Sequence, residues 1–283
     1  MLVGAGPVCA EPKVKVKEFQ PAGPWNVHYE EETCKLRRDF VSGEDVIGLE
    51  MTKLTLGDGF QFVLIGHPIR SLSTATKFTV QFGTLPQLTA INHNGALTAG
   101  KLPVAMADFA GIKPIDPVAY KVAFEKGIAP PGVASPSDEA AVTSITIKHG
   151  KASLILHTGT MGKAFAVWRN CADDMVKSWG VDPRVIKTPS HPSGNPALWL
   201  TTNDYPSDAL REYKGGLINF RLTIGPDGKP SKCSIQRAIN ESLFAQTTCK
   251  LLMKRARFSP ALDAEGKPVA SFFISSARFQ IGG

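Results

Sequence analysis

The sequence predicts an α+β fold in two parts: an N-terminal antiparallel β-rich domain with a docking helix, and a C-terminal domain of order α-β-β-α-β. Two observations favour this fold class. Short runs of strand-like composition fill the first part, and the pattern changes after a stretch rich in Pro, Ser and Gly at 187–197. A length of 283 residues is enough for two cores of ordinary size. The predicted division is a tail at 1–20, a β-rich domain of unassigned function at 21–186, a linker at 187–197 and the C-terminal domain at 198–283.

Composition argues against several classes of protein. The hydrophobic share of 43% is near the globular norm, so disorder over the whole chain is not expected. A membrane-spanning helix needs about 20 consecutive apolar residues, and the apolar runs here are much shorter. The formal net charge of +7 could attract nucleic acid, but the only basic cluster is Lys250, Lys254, Arg255 and Arg257. We interpret that cluster as a solvated helix face and predict neither a transmembrane span nor a nucleic-acid partner.

The first ten residues carry one feature of an exported protein. Val8, Cys9 and Ala10 resemble the small-residue site at which a secretory signal is cleaved, although a basic start and a full apolar region are missing. The tail is therefore expected to be either a signal remnant or a disordered terminus. Without Cys9, four of the five cysteines remain. An even number of cysteines without metal-ligand spacing suits an oxidising compartment and predicts no metal site.

Strand-like runs separated by turn residues follow one another in the N-terminal part, which predicts an antiparallel meander. These runs are 25–29, 33–40, 46–54, 60–65 and 77–82, followed by a hairpin of 141–148 and 152–157 around Gly150. The region between 84 and 136 is less regular. It contains a predicted strand near 88–93, an Asn94-Gly95 turn and a short helix at 117–126.

One helix, at 161–179, has a clear apolar face. Its apolar residues recur at intervals of three and four: Met161, Phe165, Trp168, Cys171, Met175 and Trp179. We interpret this as a face that docks on the sheet. Cys171 then points inward, as does Cys34 in an early strand, so we predict a disulfide between them; the alternative is two buried thiols. Closing so long a loop is worth about 4 kcal/mol in the chain-entropy model.

The C-terminal part has its own sequence of elements. A short helix starts at Tyr205-Pro206, and strands are predicted at 217–224 and 231–238. A helix at 241–257 and a last strand at 269–280 complete the order. The linker before it spans only about 33 Å when fully extended, which predicts a domain hinge and not a long tether.

Four short motifs occur in this part over about 80 residues. They are Tyr205-Pro206 with a following Gly216, the turn Pro226-Asp227-Gly228-Lys229, the helix end Arg257-Phe258-Ser259-Pro260, and Gly266-Lys267-Pro268-Val269 before the last strand. In this order they resemble the C-terminal domain of TonB, the periplasmic energy transducer of Gram-negative bacteria. The resemblance does not cover residues 1–190.

The resemblance implies a periplasmic protein that binds by β-strand addition, in which a segment of an outer-membrane receptor or another periplasmic protein pairs with the last strand. It implies no cofactor. The implied partner-binding residues are Tyr205, Pro206, Val269, Ser271, Phe272, Phe273, Ile274 and Ser275. For Tyr205, a packing role that fixes the first helix is an equal alternative. The resemblance also implies a disulfide between Cys233 and Cys249, where many members carry a cysteine pair.

The sequence departs from a working transducer, because it contains neither an inner-membrane anchor nor a long Pro-rich stretch that could cross the periplasm. Either an anchor precedes the given sequence, or the chain is a soluble relative that binds segments without transmitting force. We favour the soluble relative over a direct link to energy-dependent transport. A further alternative is a structural protein that forms a homodimer through the same strand edge.

An enzyme is the rival class. The sequence has no nucleophile elbow, zinc-protease motif or phosphate-binding loop. His67 and His157 are interpreted as strand-end residues, and Asp173-Asp174 as solvent-facing, since adjacent residues on a helix diverge. No catalytic, cofactor-binding or metal-binding residue is predicted.

Overall fold

The computed structural model describes residues 15–93, 97–99, 101–116, 118, 134–239 and 242–281. The fold is α+β, as predicted. Strands of the N-terminal part are β1 Lys15–Pro21, β2 Asn26–Tyr29, β3 Cys34–Ser42, β4 Asp45–Lys53, β5 Phe60–Ile65, β6 Lys77–Phe82, β7 Leu88–Ile91, β8 Leu97–Ala99, β9 Leu102–Phe109, β10 Ser144–His149 and β11 Ala152–His157. Its helices are α1 Arg70–Ser73, α2 Pro136–Ala141 and α3 Gly162–Ser178.

The described residues after 187 form a second set of elements. Its strands are β12 His191–Pro192, β13 Gly216–Ile224, β14 Pro230–Ile239, β15 Phe258–Ser259, β16 Ala261–Leu262, β17 Pro268–Val269 and β18 Ser271–Phe279. Its helices are α4 Ser207–Arg211 and α5 Ser242–Arg255. The predicted order α-β-β-α-β is present as α4-β13-β14-α5-β18.

One large sheet organises the N-terminal part, with strand order β7-β6-β10-β11-β1-β3-β4-β5-β9-β8 and β2 beside β3. The predicted meander is confirmed from β2 to β5, which pair in turn with antiparallel register. It ends there, because β5 pairs with β9 while β6 pairs with β10 and β7. Long connections therefore return the chain to build the rest of the sheet.

The predicted tail at 1–20 is wrong from Lys15 onward, where the chain forms β1. This strand runs parallel to β11, from Lys15 beside Ala152 to Phe19 beside Leu156. Phe19 is fully buried while its neighbours face outward. A single buried side chain among charged residues gives little strand signal, which is why the sequence pattern did not reveal β1. The parallel pair is also an exception to the predicted antiparallel arrangement.

Two further predictions concern the stretch between β7 and α2. The Asn94-Gly95 turn lies outside the described residues, as does the short helix at 117–126 apart from Val118. Within the described residues, β9 and α2 were not predicted.

Helix α3 docks through the face that the sequence indicated. Phe165, Trp168, Cys171 and Met175 are buried in one core with the sheet. Cys171 forms a disulfide with Cys34, with the Cα atoms 6.0 Å apart. The indole of Trp168 donates a hydrogen bond of 2.8 Å to the Cys34 carbonyl. Helix and sheet are thus joined covalently and by hydrogen bonding at the same point.

A three-stranded antiparallel sheet, β14-β13-β18, organises the C-terminal part. Alternate residues of β13, namely Ile218, Phe220, Leu222 and Ile224, join a core with α4 and α5. A disulfide joins Cys233 on β14 to Cys249 on α5, with 5.6 Å between the Cα atoms, as the resemblance implied. The stretch predicted as a linker is paired with this part, because β12 pairs with β15 and Thr188 bridges Leu262.

The second face of this small sheet packs against the N-terminal part. Leu217 of β13 lies in one buried cluster with Val63, Val104 and Met106. Polar contacts cross the same interface: Asn219 accepts a hydrogen bond of 3.1 Å from Gln61. Strand β13 is therefore buried on both faces, by helices on one side and by the N-terminal part on the other.

Candidate partner-binding edge

Strand β18 is one of the two edge strands of the small sheet, and β14 is the other. It pairs with β13 over nine residue pairs, from Gly216 beside Phe279 to Ile224 beside Ser271. Among the described residues, no strand pairs with its other edge. The backbone N–H and C=O groups along that edge are thus available to a further strand.

The side chains of β18 alternate between two environments. Phe273, Ala277 and Phe279 belong to the core under the helices, and we call this side of the sheet the helix face. Phe272 and Arg278 point to the N-terminal part, and we call that side the N-face. The ring centroids of Phe272 and Trp179 are 5.2 Å apart. Both faces of the outer strand are therefore bounded by protein.

A groove of about 460 Å³ runs along β18 on the helix face. Its far wall is the end of the predicted linker and the chain that follows it, and its floor is the core. The lining residues are Pro196, Ala197, Trp199, Leu200, Thr201, Thr202, Tyr205, Phe220, Leu252 and residues 275–280. Apolar and hydroxyl side chains dominate this list, so the groove suits side chains without charge.

Tyr205 has a packing role in this wall. Its ring contacts Phe244 and Phe279 edge-on, with centroids 5.6 Å and 5.7 Å apart. Its hydroxyl donates a hydrogen bond of 2.5 Å to the Lys214 carbonyl. Tyr205 also lines the groove, so the two roles considered for it are compatible in space. Pro206 follows it as the residue that caps α4.

An ion pair holds the wall against α5. Asp204 accepts hydrogen bonds of 2.6 Å and 2.9 Å from the guanidinium of Arg255. These bonds and the Thr201 N–H hold the pKa of the Asp204 carboxyl well below its usual range. Arg255 was predicted to lie on a solvated basic face, but it is partly engaged in this structural contact.

The other implied partner-binding residues fall in three places. Ser275 lines the groove on the helix face, whereas Ser271 is buried at the start of β18 and Phe273 lies in the core. Ile274 lies on the N-face. Val269 does not belong to this strand: it pairs with Ala261 in a separate two-stranded piece, because the chain leaves the ladder at Ala270.

A second, smaller pocket of about 190 Å³ lies on the N-face. It joins Ile274 and Asn219 of the small sheet to residues at the ends of β4, β5 and β9. The residues from the N-terminal part are Thr52, Leu54, Thr55, Gly59, Phe60, Gln61, Asp108 and Phe109. Sequence reasoning could not reveal this pocket, because its walls come from distant parts of the chain.

Arg278 is a residue of this edge that the sequence patterns did not indicate. Its Nη2 lies 3.1 Å from Nδ1 of His93, and Nε2 of His93 lies 2.7 Å from Oδ2 of Asp108. Trp199 and Leu200 were missed as well. Their only signal was the run of three apolar residues 198–200 directly after the predicted linker, which is equally typical of a core segment.

A separate cluster of charged side chains lies inside the N-terminal part, around a small cavity lined by Lys53, Asp58, Glu139 and Arg169. Burial lowers the pKa of Lys53 to about 8. Arg169 pairs with Glu139. No group of three or more His, Cys, Asp or Glu residues in the described ranges is arranged to hold a metal ion.

Two of the four sequence motifs of the C-terminal part, the Pro-Asp-Gly-Lys turn and the Arg-Phe-Ser-Pro segment, contact each other directly. Gly228 of the Pro-Asp-Gly-Lys turn accepts a hydrogen bond of 2.9 Å from the Phe258 N–H. A Cβ at Gly228 would lie 2.1 Å from the Phe258 carbonyl oxygen. Arg255 before the Phe-Ser-Pro segment binds Asp204, next to Tyr205. The motifs are therefore parts of one packed unit with an open outer strand.

The C-terminal part is therefore an α+β module: a small helix-covered sheet with a groove beside the edge strand β18. Residues 201–281 match the family described as "Gram-negative bacterial TonB protein C-terminal". A search of curated proteins with the chain finds no match. No helix in the described residues is long and apolar enough to cross a membrane.

Proposed function

We propose that this chain is a non-catalytic periplasmic protein that binds a segment of an outer-membrane receptor, or of another periplasmic protein, by β-strand addition to β18. The observation that carries the proposal is the unpaired edge of β18 beside the groove. The family match of residues 201–281 supports it, since that family is the C-terminal part of a Gram-negative envelope protein.

The chemistry of the edge fits a partner of variable sequence. Backbone hydrogen bonds supply affinity in strand addition, and pockets for alternate side chains supply specificity. Nine residues of β18 are held in register by β13, so the edge is rigid before a partner arrives. A preorganised edge loses less conformational entropy on binding.

The two disulfides support the proposed compartment. Cys34–Cys171 and Cys233–Cys249 lie in different parts of the chain, and structural disulfides persist in oxidising environments such as the periplasm. Each bridge fixes a helix against the sheet that carries or supports the edge.

Site-specific photo-crosslinking tests the proposal. A photoreactive amino acid is placed at Ser276, an exposed position of β18, in the full chain. The matched control carries it at Ser231, an exposed position of β14 at the opposite edge of the same sheet. Each protein is irradiated with detergent-solubilised outer membranes of a Gram-negative bacterium, and mass spectrometry identifies the linked peptides.

The expected result is a link from Ser276 to an extended segment of a receptor or periplasmic protein, with no such link from Ser231. Equal linking at both positions, or none at Ser276, contradicts the proposal. A link from Ser276 only to a second copy of the chain favours the homodimer instead.

A further inference from the structure

We propose that the N-terminal part completes the docking site on β18, and that the docked segment carries apolar side chains on one face and an acidic side chain opposite Arg278 on the other. This inference rests on the proposed function. It goes beyond the family match, because residues before 201 supply part of the recognition.

The alternation of a β-strand defines the geometry. A strand added beside β18 would direct alternate side chains to the helix face and to the N-face of the sheet. On the helix face these side chains meet the groove beside Ser275, Ala277 and Phe279. On the N-face they meet Ile274, Ser276 and Arg278 and the N-terminal residues next to them.

The helix-face groove selects apolar side chains. Trp199, Leu200 and Leu252 line it together with the ring of Tyr205. Arg278 is the one charged residue among its lining residues, and its side chain projects to the other face. Because an unpaired charge in such a groove would lose its hydration without compensation, charged side chains are disfavoured there.

The N-face selects an acidic side chain. Arg278 is exposed, and within the described part of the chain no carboxylate lies within ion-pair distance of its guanidinium. A carboxylate on an added strand directly opposite Arg278 would form a cross-strand pair of opposite charges. The pocket at Ile274 lies four residues away on the same face and would take a further side chain.

The N-terminal part holds Arg278 in place. His93 Nδ1 lies 3.1 Å from Nη2 of Arg278, and Asp108 Oδ2 lies 2.7 Å from the other ring nitrogen of His93. The imidazole therefore lies between a carboxylate of β9 and the guanidinium on β18, close to the carboxylate but without an aligned hydrogen bond to it. In this arrangement His93 is a positioning residue: it orients the cation without contacting the partner's backbone.

Binding of defined peptides tests the inference. The probes are three fluorescein-labelled ten-residue peptides, Thr-Leu-Thr-Leu-X-Leu-Thr-Leu-Thr-Gly, in which X is Glu, Gln or Lys. Fluorescence anisotropy with the full chain should rank them Glu, Gln, Lys in falling affinity. A cross-strand charge pair is worth up to about 1 kcal/mol, so each step should be up to about fivefold. The preference should fade at about 1 M salt, where exposed charges are screened.

Three variants locate the preference. Arg278→Gln should bind the Glu and Gln peptides equally, and Arg278→Lys should retain a preference for Glu. His93→Ala should reduce the preference while leaving affinity for the Gln peptide nearly unchanged. A merely structural role of His93 would instead weaken all three peptides alike.

A matched pair of bulky substitutions separates this inference from the proposed function. Ala197→Trp fills the groove, and Ser231→Trp adds the same bulk at the opposite sheet edge. Loss of binding with Ala197→Trp alone supports docking at β18, and unaltered binding contradicts that site.

If docking at β18 holds but Arg278→Gln keeps the full Glu preference, the inference is wrong and the proposed function stands. A wild-type chain that binds none of the three peptides also overturns the inference, while the crosslink at Ser276 tests the proposed function independently.

Discussion

Lys53 illustrates how a single buried charge affects this protein. Only 3% of its surface is exposed, its ammonium nitrogen lies 4.7 Å from the centre of a Trp168 ring, and it donates to the Gly57 carbonyl. Burial lowers the pKa of Lys53 from 10.5 to about 8, and nearby Asp58 only partly opposes the shift. The folded protein therefore disfavours the charged amine relative to the unfolded chain.

Replacing this amine should change how stability depends on pH. Between pH 8 and about 10.5 the unfolded chain keeps the proton of Lys53 while the folded protein releases it, so this residue makes stability rise with pH. Below pH 8 the charged form costs up to about 3 kcal/mol. We therefore expect Lys53→Met to be more stable than wild type at pH 7, with a difference that shrinks towards pH 10.

Urea unfolding at pH 7, 8.5 and 10 measures that difference, and Lys163→Met on the exposed side of α3 is the control. The control should shift stability by less than about 0.5 kcal/mol at every pH. A Lys53→Met difference that stays constant over the range would show that ionisation of Lys53 is not the cause.

Individual residues were predictable from the sequence only where a local pattern identified them. Cys171 was placed by the apolar face of its own helix, and its partner by the inward face of a strand. Lys53 and Arg221 follow no such pattern, since each sits in a strand as a charged residue and its neighbours come from remote segments. Arg278 and His93, 185 residues apart, are beyond local reasoning for the same reason.

Among the elements, turns of the C-terminal part show how tightly the backbone is packed. Gly228 and Gly266 both have left-handed backbone angles, with φ of +74° and +78°. A Cβ at Gly228 would meet the Phe258 carbonyl oxygen at 2.1 Å, whereas one at Gly266 would meet nothing within 4 Å. The first turn therefore needs glycine for space and conformation, and the second for conformation only.

The two glycines make a matched test. Left-handed strain should cost about 1 kcal/mol at each site when alanine is introduced. Gly228→Ala must also move a backbone segment, which adds roughly 2 kcal/mol, so we expect losses of about 3 and about 1 kcal/mol. Thermal and urea unfolding measure both variants. Equal losses of stability in the two variants would mean that the backbone around Phe258 can move aside without a cost in free energy.

Most elements were predictable, and the misses share a cause. The runs at 60–65, 77–82 and 152–157 match β5, β6 and β11, because each has apolar alternation between clear turns. Strand β1 was missed because Phe19 is its one fully buried side chain, and β9 because Pro103 and several alanines weaken its strand signal. The break at Ala270, which removes Val269 from the edge, depends on pairing with Ala261 that no local pattern specifies.

On the scale of the whole molecule, a buried ion pair joins the two parts. Arg221 of β13 donates to both carboxylate oxygens of Glu32, at 2.8 Å and 2.5 Å. The Arg221 side chain is 1% exposed, and its guanidinium lies 4.2 Å from the centre of a Trp179 ring. The N-face of the small sheet is thus matched to the N-terminal part by charge as well as by shape.

Breaking this pair should destabilise the whole chain. Arg221→Met leaves the Glu32 carboxylate without its cation at the interface, and loss of one partner of a buried pair costs about 3–5 kcal/mol. The double variant Arg221→Met, Glu32→Gln should recover part of that loss.

Lys232→Gln removes an exposed pair with Glu31 across the same interface and should cost less than about 1 kcal/mol. Urea unfolding with tryptophan fluorescence measures all three, and a double variant no more stable than Arg221→Met would contradict coupling between the two residues.

The docking of the two parts could not have been predicted from the sequence. The hinge prediction rested on a Pro-rich and Ser-rich stretch, yet β12 in that stretch pairs with β15. Of the candidate site, the outer strand and Tyr205 were predicted through the resemblance. The groove wall at Trp199 and the contacts of Arg278 depend on tertiary packing, which composition and periodicity do not encode.

Because β13 is buried on both faces, the two parts of the chain are constrained to evolve together. A freestanding domain can be exchanged between genes, because its outer surface makes no demands on its neighbours. This small sheet cannot be exchanged so simply: a new host would leave Leu217 exposed and Arg221 without a counterion. Substitutions on either side of the interface must therefore be compensated on the other, and the two parts are expected to diverge together as one hereditary unit.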